Sequence, residues 1–246
     1  MNILFLLKTT FVQDWLSIQR SPQFLGKITI RILTGVSIFF MALYLILIGY
    51  FIDVIMRKQF PDINIVKEAN KYLIIVLLLL LILRIFFEKL PQADFHFFLC
   101  LPISKKDIII SYIIRLLGKK LNIIPYFVLI PFWFKNIFFA YSITASLYWL
   151  LGSVILSFCF ALLGLLMKFI FFEFKWFLGL LVGLVVFTIF IDYSSALDII
   201  KAASTLYFDS LLQSSTFVVF ASIIVSIPFI FFTYKALYKM LYLDYD

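Results

Sequence analysis

YLIIVLLLLLILRIFF, residues 72–87, carries a single charged side chain, Arg84. A run this apolar, without alternation, reads as a helix whose solvent is lipid. At its end Arg84, Glu88 and Lys89 are placed to snorkel toward headgroups. Working outward, further apolar runs cover about 32–52, 110–134, 144–167, 176–191 and 217–234. The stretch 137–167 has no charge until Lys168 and is too long for one straight crossing, so its span starts near Thr144. Pro125 and Pro131 are expected to kink the third run, which membrane helices tolerate when neighbours re-satisfy the backbone. The fold class is therefore all-α integral membrane, a single transmembrane domain with six spans.

Composition agrees. Hydrophobic residues make up 65% of the 246 positions and charged residues 14%, with mean hydropathy +1.13. A soluble domain carries about 25% charged residues, and no water-facing surface could be built from what remains here. A β-barrel is excluded because apolar and polar residues do not alternate over ten-residue segments. The net charge of +8 would point to nucleic acid in a soluble chain. Here the basic residues punctuate the apolar runs, which reads as loops facing anionic headgroups, with membrane lipid and no nucleic acid as partner.

Ahead of the first span, residues 3–20 place Leu4, Leu7, Phe11, Trp15 and Ile18 on one helical face and Lys8, Asp14, Ser17 and Arg20 on the other. That pattern predicts an interfacial helix, ended by Ser21-Pro22, with no cleavable signal peptide. With six spans, 15 of the 21 basic residues fall on the ends and loops of one side and 6 on the other, which sets both termini in the cytoplasm. Between spans five and six, residues 192–216 mix Leu197, Ile200, Ala203, Leu206 and Leu211 with Asp192, Asp198, Lys201 and Asp209. They read as short external helices that either dip into the outer leaflet or lie flat on it.

Chemistry-bearing patterns are missing. There is no HExxH, GxSxG, paired-aspartate or Walker A motif, so the chain is not expected to be an enzyme or to hydrolyse ATP by itself. Cys100 and Cys159 form no CxxC, and His96 stands alone, so no metal or cofactor is expected in this chain. Buried acids of the kind used by ion-coupled carriers are nearly absent.

The informative loop is FFEKLPQADFHFFLCLPISKKDIIISYIIRLLGKKLN, residues 86–122. Pro102 stops one short helix, Ser104 can cap the next through its hydroxyl, and Asp107 stands where a capping-box partner would. A short amphipathic helix across the cytoplasmic face can fit a groove on a partner protein. Phe98, Leu101, Pro102, Ile103, Ser104, Lys105, Lys106 and Asp107 are the candidate contact residues. The same LPISKK could serve only as an interfacial turn. Arg84 and Glu88 read either as a gate or as a simple i,i+4 ion pair. Ser153, Ser157 and Ala161, together with Gly179 and Gly183, are small-residue stripes for helix packing within the chain or in a dimer.

Leu101 to Asp107, followed by a basic helix leading to Asn122, resembles the coupling-helix region of type-2 ATP-binding-cassette export permeases. In its longer context it is most similar to an uncharacterised Bacteroidota family of permease-like membrane proteins. The resemblance implies a permease subunit that moves a lipid, a peptide or another amphipathic molecule. It also implies a separate ATPase subunit holding ATP and Mg, and a second permease half, either a copy of this chain or a paralogue. Two other readings stay open: a non-transporting anchor or scaffold of an envelope complex, and a membrane-embedded lipid-modifying enzyme.

Overall fold

The computed structural model describes residues 24–59, 64–88, 104–173 and 193–243, and these residues form helices and short turns without a strand. In chain order the helices are α1 (Phe24–Gln59), α2 (Ile65–Phe87), α3 (Lys105–Leu117), α4 (Lys120–Trp133), α5 (Ile143–Glu173), α6 (Tyr193–Leu212) and α7 (Thr216–Leu243), with a π-helical turn, Phe134–Phe138, closing α4. Among the described residues, four segments are long and apolar enough to cross a membrane: Ile32–Lys58, Ile65–Phe87, Ile143–Ile170 and Thr216–Met240. The chain is a multi-pass helical membrane protein. The interfacial helix expected at 3–20 and the span expected at 176–191 lie outside the described residues.

Local chemistry explains several helix ends. Asn64 caps α2, its side chain accepting from the backbone N–H groups of Val66 at 3.2 Å and Lys67 at 3.3 Å. At the far end, Glu88 N–H closes the last turn on Arg84 O at 3.0 Å. The α6–α7 turn is a Schellman-type stop. Ser214 sits at φ 59°, and Ser215 N–H reaches back to Ser210 O at 3.3 Å. Residues 193–212 form one continuous helix of 20 residues, longer than the short external helices expected there.

The expected third span, 110–134, is not one helix. The chain breaks at Gly118–Lys119, where Lys119 adopts an extended backbone (φ −66°, ψ 145°) before α4 begins. The Asn122 side-chain amide donates back to Leu116 O, adding a side-chain donor to a carbonyl that the Lys119 N–H also reaches at the end of α3. Pro125 and Pro131 lie inside α4 without interrupting it, and the π turn follows three residues after the second proline. The helix thus stops where backbone and side-chain donors together close its last turn.

Two cores hold the bundle at opposite ends. In the first, the apolar face of α3 (Ile108, Ile109, Tyr112, Ile113, Leu116) packs on Ala161, Leu162 and Leu165 of α5 and Leu237 of α7. In the second, Ile65, Val66 and Leu73 of α2 meet Phe132, Ile137, Trp149, Phe208 and Leu211. From Trp149 to Ala161 is about 18 Å along α5, so α5 runs through both. A buried polar node sits in the second core. Asn70 Nδ2 donates to Asp209 Oδ1 at 2.8 Å, and Trp149 Nε1 donates to Asn70 Oδ1 at 3.0 Å. Ser204 Oγ donates to Asn70 O and accepts from Ile74 N–H at 3.3 Å. The node ties α2, α5 and α6 together.

Helix α1 is the least covered. Leu33, Phe39 and Phe40 are all more than 60% exposed, the surface expected of side chains that face lipid. Its attachment runs through α4. Gly49 lies so close that a Cβ built there would be 2.2 Å from Val128 O. One turn on, Lys135 Nζ bonds Asp53 Oδ1 at 2.8 Å and Tyr50 O at 3.0 Å.

Candidate functional site

Two of the polar residues that the apolar helices bury, Arg84 and Asn122, meet where α2 ends, α3 turns into α4 and α5 passes behind. Arg84 projects from the last turn of α2 and is buried. Its Nη2 donates to Asn122 Oδ1, the amide that also caps α3. Gly164 of α5 lies alongside it, with Arg84 Cβ and Cδ 3.5 and 3.6 Å from where a Gly164 Cβ would stand, an ordinary van der Waals distance.

Glu88 does not form the direct ion pair with Arg84 that their spacing predicts. Its carboxylate lies 3.5 Å from Lys119 Nζ instead. The reason is local: α2 ends at Phe87 and Glu88 has left the helix (φ −76°, ψ 136°), so the i,i+4 geometry is lost. Lys119 also donates to Tyr112 Oη at 2.9 Å. One lysine at the hinge thus joins the end of α2 to the buried face of α3.

The loop candidates divide. Phe98, Leu101, Pro102 and Ile103 lie outside the described residues. Ser104 is the N-cap of α3, its Oγ accepting Asp107 N–H at 3.2 Å. Lys105, Lys106 and Asp107 form the first turn of α3, with Lys106 exposed and the other two half-buried. Ser153, Ser157 and Ala161 face inward on α5. Gly179 and Gly183 lie outside the described residues.

Ser153 and Ser157 open onto an apolar cavity of about 250 Å³ between α1, α2, α4, α5 and α6. Its walls include Leu73, Leu77, Tyr126, Leu129, Phe132 and Phe208. Tyr126 Oη reaches Ser153 O at 3.4 Å, so this wall has a weakly paired polar corner in an otherwise apolar room. Among the described residues, no three His, Cys, Asp or Glu side chains come together as a metal site.

Sequence reasoning missed Asn70, Asn122, Gly49 and Gly164. A signal existed for the asparagines: an amide beside long apolar runs must find partners inside the protein. For the glycines there was none, because a lone glycine in an apolar run does not show which helix it will meet.

The family of unknown function DUF5687 matches residues 14–246. No curated protein and no solved structure matches the chain. That match runs over nearly the whole length, including every helix described above, and the chain belongs to the DUF5687 family.

Proposed function

We propose that the chain is the permease subunit of an exporter driven by a separate ATPase. It would have six spans, with both termini in the cytoplasm of the inner membrane, and would act with a second permease half. In this reading α4 and its π turn, residues 120–138, make the third span, and residues 176–191 the fifth. The cargo is a lipid, a peptide or another amphipathic molecule.

One observation carries the reading: the way α3 is anchored. It follows directly on the coupling-type segment 98–103 and starts at the Ser104 cap. Its apolar face is packed on α5 and α7, and its end is tied to α2 through Lys119 and to α4 through Asn122. A push on its N-terminus would reach four helices at once. Interiors this closely packed pass a displacement on, as two arrangements of a bistable bundle require.

The test is purification of the full chain in mild detergent, looking for a co-purifying ATPase. Changing Leu101→Ala together with Ile103→Ala should release the ATPase or uncouple its hydrolysis, since truncating buried interface anchors commonly costs more than about 2 kcal/mol. Changing Lys105→Ala with Lys106→Ala should be milder and should fade as salt rises. A chain that brings down no ATPase at all, and whose apolar double variant behaves as wild type, is a scaffold rather than a permease.

A further inference from the structure

Arg84 is 3% exposed, yet its guanidinium is only partly satisfied. Nη2 bonds Asn122, whereas Nε and Nη1 are buried without a partner. Arginine does not shed its proton in proteins, so this is a buried positive charge with open donors. Glu88, the carboxylate in electrostatic range of Arg84, is engaged by Lys119, and Lys168 lies within range of both Glu88 and Lys119. Among the described residues, Arg84, Lys119 and Lys168 thus surround one carboxylate, that of Glu88. The group that fits here is an anion.

Arg84 and the cavity lie along the same helix faces. On α2, Leu77 lines the cavity and Arg84 stands two turns further on; on α5, Ser157 and Gly164 have the same relation. Seven residues of helix cover about 10 Å. Leu81 and Ala161 continue these faces in between, both buried. Tyr126 belongs to both regions, since it lines the cavity and lies in electrostatic range of Arg84. Ser157 Oγ, on the same wall, is buried beside the Tyr126 hydroxyl. The cavity, about 250 Å³, exceeds the roughly 150 Å³ of an apolar void that stays dry and takes up benzene.

We propose that the chain holds a lipid with a net-negative phosphate headgroup, the phosphate on Arg84 and one acyl chain running past Leu81 and Ala161 into the cavity. A free phosphate would satisfy the guanidinium but leave the apolar room empty. An uncharged lipid would fill the room and leave the guanidinium open. A bidentate guanidinium–phosphate contact is the pairing for which arginine is suited over lysine. The assignment concerns binding alone and does not depend on an ATPase partner.

The experiment is native mass spectrometry of the delipidated full chain. It is titrated with phosphatidylglycerol, with phosphatidylcholine of identical chains, and with inorganic phosphate. Wild type should bind phosphatidylglycerol at least tenfold more tightly than phosphatidylcholine, and millimolar phosphate should not displace it. Arg84→Gln should erase the preference, Arg84→Lys should keep part of it, and Leu129→Trp, which fills the cavity, should weaken both lipids while keeping their ratio. Equal binding of the two lipids by wild type would overturn the proposal even if Arg84→Gln failed to insert. So would displacement by phosphate alone, or an intact preference in a folded Arg84→Gln protein.

Discussion

Replacing Asn70 by Leu keeps the side chain's approximate volume and removes its amide. Two groups then lose a partner. Trp149 Nε1–H is fully buried and had Asn70 Oδ1 at 3.0 Å; Asp209 Oδ1 had Asn70 Nδ2 at 2.8 Å. Asp209 is half-buried and can recruit water, so the indole N–H dominates. An orphaned buried donor costs about 1–3 kcal/mol in water-soluble proteins. Polar pairs inside membrane proteins average about 0.6 kcal/mol and reach about 1.7. The node sits in the first turns of α2, near Lys67, Glu68 and Lys71, where the chain leaves the apolar interior. The larger range therefore applies, and Asn70→Leu should destabilise by about 2 kcal/mol. Ser204 bonds the backbone oxygen of residue 70 and survives the change, which limits the loss. The assay is a double-mutant cycle with Trp149→Phe, reading reversible unfolding in mixed micelles. Phe presents no N–H, so the pair should couple by about 1 kcal/mol, with the double variant better than the sum of the singles. Additive losses, or an Asn70→Leu cost below about 0.5 kcal/mol, would show that the node does not hold α2 to α5.

Gly49→Ala should cost about 1–3 kcal/mol, because a Cβ would meet the Val128 backbone rather than a movable side chain. Gly152→Ala should cost less, since its nearest neighbour is the Leu211 side chain, and thermal unfolding in detergent ranks the two. Ile109→Ala, at a fully buried position, should lose about 2–5 kcal/mol, while Ile110→Ala, 39% exposed, should stay within about 0.5 kcal/mol in the same assay. Equal losses would mean that α3 presents a different face to α5. Ser214→Gly should stabilise by about 1 kcal/mol, because Ser214 holds a left-handed backbone that glycine adopts without penalty. An unchanged midpoint would deny strain at that turn.

Much of the candidate site was legible only as an inventory. Arg84, Glu88, Ser104, Ser153 and Ser157 stand out in the sequence because polar groups are scarce there. Ser104 is a local matter: a hydroxyl three residues before an available N–H caps a helix whatever surrounds it. Glu88 shows the opposite. Its i,i+4 spacing to Arg84 predicts a pair only while both are helical, and α2 stops one residue short of it. The break at Gly118–Lys119 was hidden for a related reason. Two prolines downstream looked like the stronger breakers, but the partner that stabilises the break, Asn122, acts through Leu116 O and Arg84 across the fold.

The sequence by itself determined that this chain is helical and lives in lipid. Apolar transfer and backbone satisfaction are properties of a run of some twenty residues summed along the chain, and they need no tertiary partner. Only the tertiary structure decided which of its many apolar faces touch protein. Between helices in a bilayer, Leu against Leu and Leu against lipid tail are nearly equal, so hydrophobicity carries no signal for pairing. The choice falls to close approaches such as Gly49 on Val128 and to scarce polar groups that must find each other, Asn70 with Trp149 and Asp209, Arg84 with Asn122. These contacts join residues up to 139 positions apart, a distance over which no local pattern in the sequence can speak.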